Sequence, residues 1–308
     1  MTFNFEGGDI LLYRYNLDTI VFVGISDSNA ENEGASTTIE FATYLREYYS
    51  GKNYIIYPVF LDKSILHLDL VFNILPFGNR CILYPGGIEK TFRKEFNQYL
   101  SEVFTHVQSV TKKAADEYVC NFINTGPNAM IVSDSQSMRT LVRKWMTEYP
   151  GLKISLIKFN DVYENLAGSI RCSTLPIIRG DYSRMHITNE IDVLKVCMVG
   201  TLTPDKKTLT CLEAIGDIQT SDRQTMLGLI GEQLENLCTA LQAHGVHVLR
   251  PDITKLAEVP ACNVIFARDV LLIIGSRVFV SNLHLPHRKQ EAEPYLSSIE
   301  KYFQTPSS

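Results

Sequence analysis

The 308-residue chain has one tryptophan, seven histidines and seven cysteines, and its sequence shows neither an HExxH motif nor a CxxC pair. Cysteines 81, 120, 172, 197, 211, 238 and 262 are odd in number and scattered. That pattern argues against a disulfide framework and a structural zinc site, and it fits a reducing compartment, the cytoplasm. No apolar run reaches the ~18 residues of a membrane span. The opening stretch MTFNFEGGDILLYRYNLD lacks the charged-then-apolar layout of a signal peptide. Basic residues form no stripe: 29 Lys and Arg stand against 34 Asp and Glu, a net charge of −5, so nucleic acid is not an expected partner. A composition of 45% hydrophobic and 20% charged residues is that of a soluble globular chain with ample core. No linker rich in Pro, Gly or Ser divides the sequence. One domain over residues 1–308 is expected, with the polar stretch 201–223 as a flap loop and 304–308 as a disordered tail.

What is present is an alternation of short β-rich runs and longer helical ones. Ile10–Tyr15 and Asp18–Gly24 read as a hairpin about Asn16-Leu17. Ser36–Tyr49 has helical spacing and Tyr54–Leu61 is β-rich. His67–Leu75 and Arg80–Tyr84 pair about Pro76–Asn79, and Ile88–Tyr118 reads as one helix. Ala129–Ser133, Ser137–Tyr149 and Lys153–Phe159 read strand, helix, strand, as do Leu194–Thr201, Gln224–His244 and Val246–Arg250. Asn263–Phe266, Val270–Ile274 and Val278–Asn282 are expected strands, and Gln290–Phe303 a closing helix. The repeating unit is β-β-α-β, seen four or five times.

Four short signals carry chemistry. Cys172, in Gly168-Ser169-Ile170-Arg171-Cys172-Ser173-Thr174-Leu175-Pro176, puts a thiol after a small-residue turn and before an apolar run. Glu6-Gly7-Gly8-Asp9 flanks two glycines with carboxylates, and glycines let backbone approach a ligand closely. His67-Leu68-Asp69 opens a strand, where alternation places imidazole and carboxylate on one face, an acid–base pairing. Arg268-Asp269 interrupts an apolar stretch, and buried charge is costly unless paired or used. Taken singly, each has a plain structural alternative: a buried thiol, a hairpin turn, a surface pair, a structural ion pair.

Together the four resemble the arginine deiminase, dimethylargininase and amidinotransferase superfamily, the penteins. Glu6-Gly7-Gly8-Asp9 is similar to its E-G-G-D element and His67-Leu68-Asp69 to its H-L-D element. Phe266-Ala267-Arg268-Asp269 is similar to its T/P-R-D element, and Arg171-Cys172 to Pro176-Ile177 to its nucleophile segment. Asn282, Arg288 and Glu291 fit its N-x-x-x-x-x-R-x-x-E stretch. The resemblance covers most of the chain. It implies an α/β propeller of about five β-β-α-β units around a central site. In the family R-D comes first, whereas here it follows Cys172, so the order is cyclically preserved and the chain looks circularly permuted.

The resemblance also implies roles. Cys172 would be the nucleophile and His67 the acid–base group. Glu6, Asp69 and Asp269 would grip the guanidinium, Arg288 would be a carboxylate clamp, and Asp9 and Asn282 are further candidates. No cofactor and no metal is implied. A covalent S-Cys intermediate would be hydrolysed by a deiminase or passed to an amine by an amidinotransferase; a silent binding protein is the remaining alternative. The Cys-Ser-Thr-Leu-Pro-Ile-Ile-Arg wording favours the deiminase. The expected partner is a small guanidino compound or a peptidyl arginine, with no membrane and with a homo-oligomer allowed. Arginine-specific relatives carry an S-x-R-T element where this chain has Asp27, Glu31 and Glu33, and the arginine expected about five residues before Cys172 is replaced at Ala167. A cationic or peptide-borne guanidine is therefore expected over free L-arginine.

Overall fold

The computed structural model describes residues 4–26, 37–166, 168–202, 220–256, 264–283, 288 and 290–304. Among the described residues, five separate sheets follow one another along the chain. In the first, β1 (Ile10–Tyr15) and β2 (Asp18–Ile25) form an antiparallel hairpin. The helix Ile39–Tyr48 then carries the chain over to β3 (Tyr54–Phe60), which lies parallel to β2. The plan repeats. β4 (Phe72–Leu75), β5 (Arg80–Leu83) and β6 (His106–Ser109) form the second sheet. β7 (Ile123–Gly126), β8 (Ala129–Ser133) and β9 (Lys153–Ile157) form the third. β10 (Thr174–Arg179), β11 (Leu194–Val199) and β12 (His247–Leu249) form the fourth. The fifth is the hairpin β13 (Leu271–Ile274) and β14 (Arg277–Val280), followed by the helix Ala292–Gln304.

Local sequence accounts for these units. The hairpins turn through residues that tolerate the left-handed region: Asn16 (φ 55°), Asn79 (φ 46°) and Asn128 (φ 60°). The crossover helix Gln136–Glu148 starts at Ser135, whose side chain accepts from the Met138 N–H, and it buries Met138, Val142 and Trp145 at helical spacing. Sheets that follow one another share apolar clusters. Val21 and Ile177 lie in one cluster with Ile273, Phe22 packs with Phe72, Ile82 with Met130, and Ile131 with Val199.

Three expectations from sequence are corrected. Ile88–Tyr118 is not one helix: it contains the helix Arg93–Val103, the strand β6 and a short helix Lys112–Asp116. β6 is a half-exposed edge strand of four residues, His-Val-Gln-Ser, too short and polar to show β periodicity. Residues 264–266 form a turn, not a strand; Asn263 lies outside the described residues. His67-Leu68-Asp69 does not start a strand, since Leu68–Leu70 is a 3-10 turn before β4. The strand β7 and the helix Asn160–Leu166 have no counterpart in the sequence reading.

The first described residues meet the fifth unit. Asn282 Nδ2 donates to Asn4 Oδ1 at 2.8 Å, and the Ser281 hydroxyl donates to the Phe5 carbonyl. Phe5 precedes β1 rather than lying in a strand, and its ring stacks on Phe41. The segment after the closing helix and most of the 201–223 stretch (203–219) lie outside the described residues. No helix among the described residues is long and apolar enough to cross a membrane.

Candidate active site

Each sheet contributes to one buried cluster from the same place, the few residues ahead of its first strand. Glu6–Asp9 precede β1, His67–Asp69 precede β4, Asn121 precedes β7, Arg171-Cys172 precede β10 and Arg268-Asp269 precede β13. Gly7–Asp9 and Leu68–Leu70 are 3-10 turns, and Ala267–Val270 is a single helical turn. Glycine is required where these turns meet. A Cβ on Gly7 would overlap the Arg268 carbonyl, and one on Gly8 would stand 2.9 Å from His67 Nδ1.

His67 Nε2 lies 2.6 Å from Glu6 Oε2, with both side chains buried. Asp9 is fixed beneath them: its Oδ2 accepts from the Thr37 hydroxyl at 2.6 Å and its Oδ1 from the Leu68 N–H at 2.9 Å. The second bond takes the backbone donor between His67 and Asp69, so the turn aims the two side chains at different partners. His67 meets Glu6, while Asp69 Oδ2 accepts from Arg171 Nη1 at 2.8 Å. Cys172 Sγ is 3.9 Å from that same Asp69 oxygen. Asn121 holds the thiol, with Nδ2 3.1 Å from Sγ and Oδ1 accepting from the N–H of Arg171 at 2.8 Å and of Cys172 at 3.4 Å.

A second layer of charge lies behind the thiol. The Arg171 guanidinium also donates to the Ile10 carbonyl at 2.7 Å and to Glu190 Oε1 at 3.0 Å. Glu190 lies 3.9 Å from both Arg179 and Arg268. It reaches this position on the connection between β10 and β11, where its N–H donates to the Leu12 carbonyl at 2.9 Å. Arg268 is tied through its backbone N–H to the Cys172 carbonyl at 3.0 Å, and its buried Nε and Nη2 have no hydrogen-bond partner among the described residues. Asp269 Oδ2 accepts from Arg288 Nη2 at 3.3 Å, and Arg288 Nε donates to Glu291 Oε2 at 2.9 Å. Asp69 and Asp269 each leave Oδ1 buried without a partner among the described residues.

Burial sets the protonation states. It pushes the Cys172 thiol well above its ordinary value of 9.0, and the charges of Asp69 and Asp269 push the same way. Burial raises Asp269 to about 6, with Glu6 adding to the rise, and raises Asp9 to about 7. Burial alone would lower the His67 imidazole; Glu6, then Asp9 and Asp269, outweigh it and hold it well above 6.5. The site is thus a set of carboxylates around a protonated imidazole and a protonated thiol. Such a set is short of a cation: a positive ligand would neutralise Asp69 and Asp269 and draw the thiol toward thiolate, the reactive form. Glu6, His67 and Asp269 offer ligand atoms all within 4.8 Å of one another, but an imidazole held protonated by Glu6 has no lone pair to give a metal.

The structure brings together Cys172, His67, Glu6, Asp9, Asp69 and Asp269. Arg288 is buried between Asp269 and Glu291, and Asn282 is an exposed partner of Asn4. Residues 27–36 and Ala167, on which the substrate expectation rests, lie outside the described residues. Sequence reasoning missed the parts played by Asn121, Arg171 and Glu190. The repeat carried a signal for Asn121, since it occupies in the third unit the place that His67–Asp69 and Arg171-Cys172 occupy in the second and fourth. The five described cysteines are free and buried; Cys211 and Cys262 lie outside the described residues.

No protein-family model matches the chain. It is 30% identical over 188 residues to the uncharacterised protein YkgA of Bacillus subtilis (strain 168), which covers 57% of this chain. The chain spans about half (53%) of that relative's length. Among solved structures it is similar to ArgZ, an arginine dihydrolase from the ornithine–ammonia cycle in cyanobacteria, at 19% identity and a TM-score of 0.41 over 54% of this chain and 23% of that one. It is similar to SxtG, an amidinotransferase from Microseira wollei, at 17% identity and a TM-score of 0.41 over 59% and 48%. AgrE, solved with ornithine and NAD+, matches at 17% identity and a TM-score of 0.42 over 61% and 24%. An arginine dihydrolase and an amidinotransferase thus stand among the structures to which this chain is similar.

Proposed function

We propose that the chain is a cysteine-dependent guanidine-modifying enzyme of the pentein superfamily, acting as a deiminase. The observation that carries this reading is the pair of buried oxygens, Asp69 Oδ1 and Asp269 Oδ1, left without donors among the described residues on the two carboxylates whose charges act on the Cys172 thiol. Unpaired buried acceptors are costly, and a guanidinium supplies five N–H donors in fork geometry. Arg171 on one side and Arg288 on the other hold these carboxylates in place, so Arg288 supports Asp269 in this reading. The five units would form one catalytic domain, arranged as a ring about the cluster and circularly permuted relative to the family. The shared apolar clusters and the contact of Asn4 and Phe5 with Ser281 and Asn282 support that arrangement.

The chemistry follows from the charges. Burial keeps Cys172 protonated, with the charges of Asp69 and Asp269 adding to it; a guanidinium bound between those carboxylates offsets their charge and stabilises the thiolate, whose proton passes to water. The thiolate attacks the guanidinium carbon and forms a C–S bond. His67, protonated because Glu6 holds it so, delivers a proton to the departing nitrogen, and ammonia leaves. Neutral His67 then takes a proton from water, which attacks the S-bound carbon. The C–S bond breaks to return the thiol and release a ureido product. If the alkylamine leaves instead and a second amine attacks, the same residues perform amidino transfer. A panel of arginine, agmatine, methylated arginines, guanidino acids and an arginyl peptide, scored for ureido product, ammonia and amine, tests the reading. Ureido product with equimolar ammonia is expected. No turnover of any guanidine, and no protection of Cys172 from alkylation by one, would refute it.

A further inference from the structure

The charge layer behind Cys172 is not balanced. Arg171, Arg179 and Arg268 are each at most 4% exposed and share the buried carboxylate of Glu190, at 3.0, 3.9 and 3.9 Å respectively. Asp69 adds a second negative charge, on Arg171 at 2.8 Å. Three cations against two carboxylates leave one positive charge over. Asp192 also acts on Arg179, but it is half-buried and its carboxylate accepts from Asn189 Nδ2 at 3.0 Å. Donors are in excess too. Arg179 donates Nη1 to the Asp192 carbonyl at 2.8 Å and Nη2 to the Asn124 carbonyl at 2.9 Å. Arg268 Nε and Nη2, with the Nε of Arg171 and of Arg179, are buried and have no partner among the described residues.

Cys197 is the other group whose charge would act on both Arg268 and Arg179. Burial outweighs the two arginines and pushes its thiol up to about 12, so it stays neutral, with Sγ donating to the Met198 carbonyl at 3.6 Å. The shortage shows on the arginines. Burial, with Arg171 adding to it, pushes Arg268 down to about 10, and burial lowers Arg179 as well. Buried charge left unpaired is costly. Water would satisfy the free N–H donors and leave the charge unmet, whereas an anion answers both. A single negative charge matches the surplus, and side chains this enclosed favour a small ion over a bulky oxyanion.

We propose that Arg268, with Arg179 and Arg171, binds a small monovalent anion of the halide class in the layer behind Cys172. The site does not depend on the guanidine reading and is tested without any guanidine. Melting temperatures are compared in sodium chloride, sodium bromide and sodium gluconate at equal ionic strength, for the parent protein and for Arg268→Met. Bromide is located by its anomalous scattering in crystals of the parent. Arg268→Met removes two free donors and the surplus charge while keeping an unbranched chain. In the parent, chloride and bromide are expected to raise the melting temperature over gluconate by about 2–4 °C, the shift given by an anion at about tenfold its Kd. In Arg268→Met that difference is expected to vanish, and in the parent crystal bromide is expected against Arg268 Nε or Nη2. Equal melting temperatures of the parent in all three salts, or a halide effect of the same size in Arg268→Met, would overturn the site. Bromide in the crystal with no halide effect in solution is binding at crystal concentration only and overturns it too. If Arg268→Met does not fold, the parent decides: water in place of bromide at Arg268 rules the anion out.

Discussion

Asn121 clasps Cys172 from two directions: its Nδ2 stands 3.1 Å from the thiol sulfur, and its Oδ1 accepts from the N–H of the same residue at 3.4 Å and of Arg171 at 2.8 Å. The amide donor faces the atom on which negative charge must develop. Replacing it by alanine removes a preorganised donor from a buried site, a loss worth roughly 10²-fold in kcat for comparable donors. Asn121→Ala is therefore expected to lower kcat about that much with KM nearly unchanged, and to move the pH dependence of Cys172 alkylation upward. An unchanged alkylation profile would remove Asn121 from the thiol's support.

Glu190 is the shared counter-ion of three buried arginines, 3.0 Å from Arg171 and 3.9 Å from Arg179 and Arg268. Removing one partner of a buried ion pair leaves uncompensated charge, at a cost of about 3–5 kcal/mol. Glu190→Ala is expected to lower stability by about that much in denaturant unfolding. A loss below about 1 kcal/mol would show that water or a neighbour replaces it readily.

The raised carboxyls fix the sign of a pH effect. Asp9 and Asp269 move from 3.8 to about 7 and about 6, so their contribution to stability is present below the unfolded value and is lost as pH rises through the folded ones. His67, held well above 6.5, behaves likewise at higher pH. On the proposed function, a bound guanidinium needs Asp269 ionised. The rise in melting temperature produced by agmatine should therefore be small near pH 5 and large near pH 8, with the change centred about pH 6. A shift of equal size at both pH values would mean that Asp269 does not hold the ligand.

Arg288 separates two roles by substrate. As the partner of Asp269 and Glu291 it supports a carboxylate that the proposed function gives to the guanidinium, so Arg288→Ala should weaken every guanidine in the panel to a similar degree. As a carboxylate clamp it would matter to L-arginine alone. The expected pattern is uniform loss, with L-arginine already at least about tenfold below agmatine in kcat/KM, the size of one lost charge-assisted hydrogen bond. Selective loss of L-arginine, together with its being the best substrate of the panel, would restore the clamp.

How far the sequence spoke depends on the residue. Glu6, His67, Asp69, Cys172 and Asp269 stood out as charged or thiol residues beside apolar runs, each with a plain structural alternative, and only the resemblance to the penteins joined them; the structure brings them into one buried cluster. The strands β1, β2 and β8 were legible because long buried β-branched and aromatic runs end at Asn turns. β6 was not, because an edge strand of His-Val-Gln-Ser buries too little to show a period. Asn121 was hidden in Cys-Asn-Phe-Ile-Asn, where nothing marks one amide over another until β7 is recognised behind it. Glu190 was hidden for a different reason. It lies on a connection between strands, and only the tertiary packing of Leu12 against that connection carries it to Arg171.

The covalent role proposed for Cys172 is tested most directly by acid-quenched mass spectrometry of the His67→Ala protein incubated with agmatine, with Cys172→Ala assayed alongside. His67→Ala keeps a thiol that the bound cation can activate but lacks both the acid that helps ammonia leave and the base that activates water, so an adduct forms slowly and is not hydrolysed. An amidino-type adduct is expected on the Cys172 peptide, without steady-state product. Cys172→Ala is expected to melt like the parent protein while losing all but about a hundredth of its activity, because the intermediate cannot form. Turnover by Cys172→Ala above that level, or an adduct on Cys81, Cys120, Cys197 or Cys238 in place of Cys172, would contradict the account.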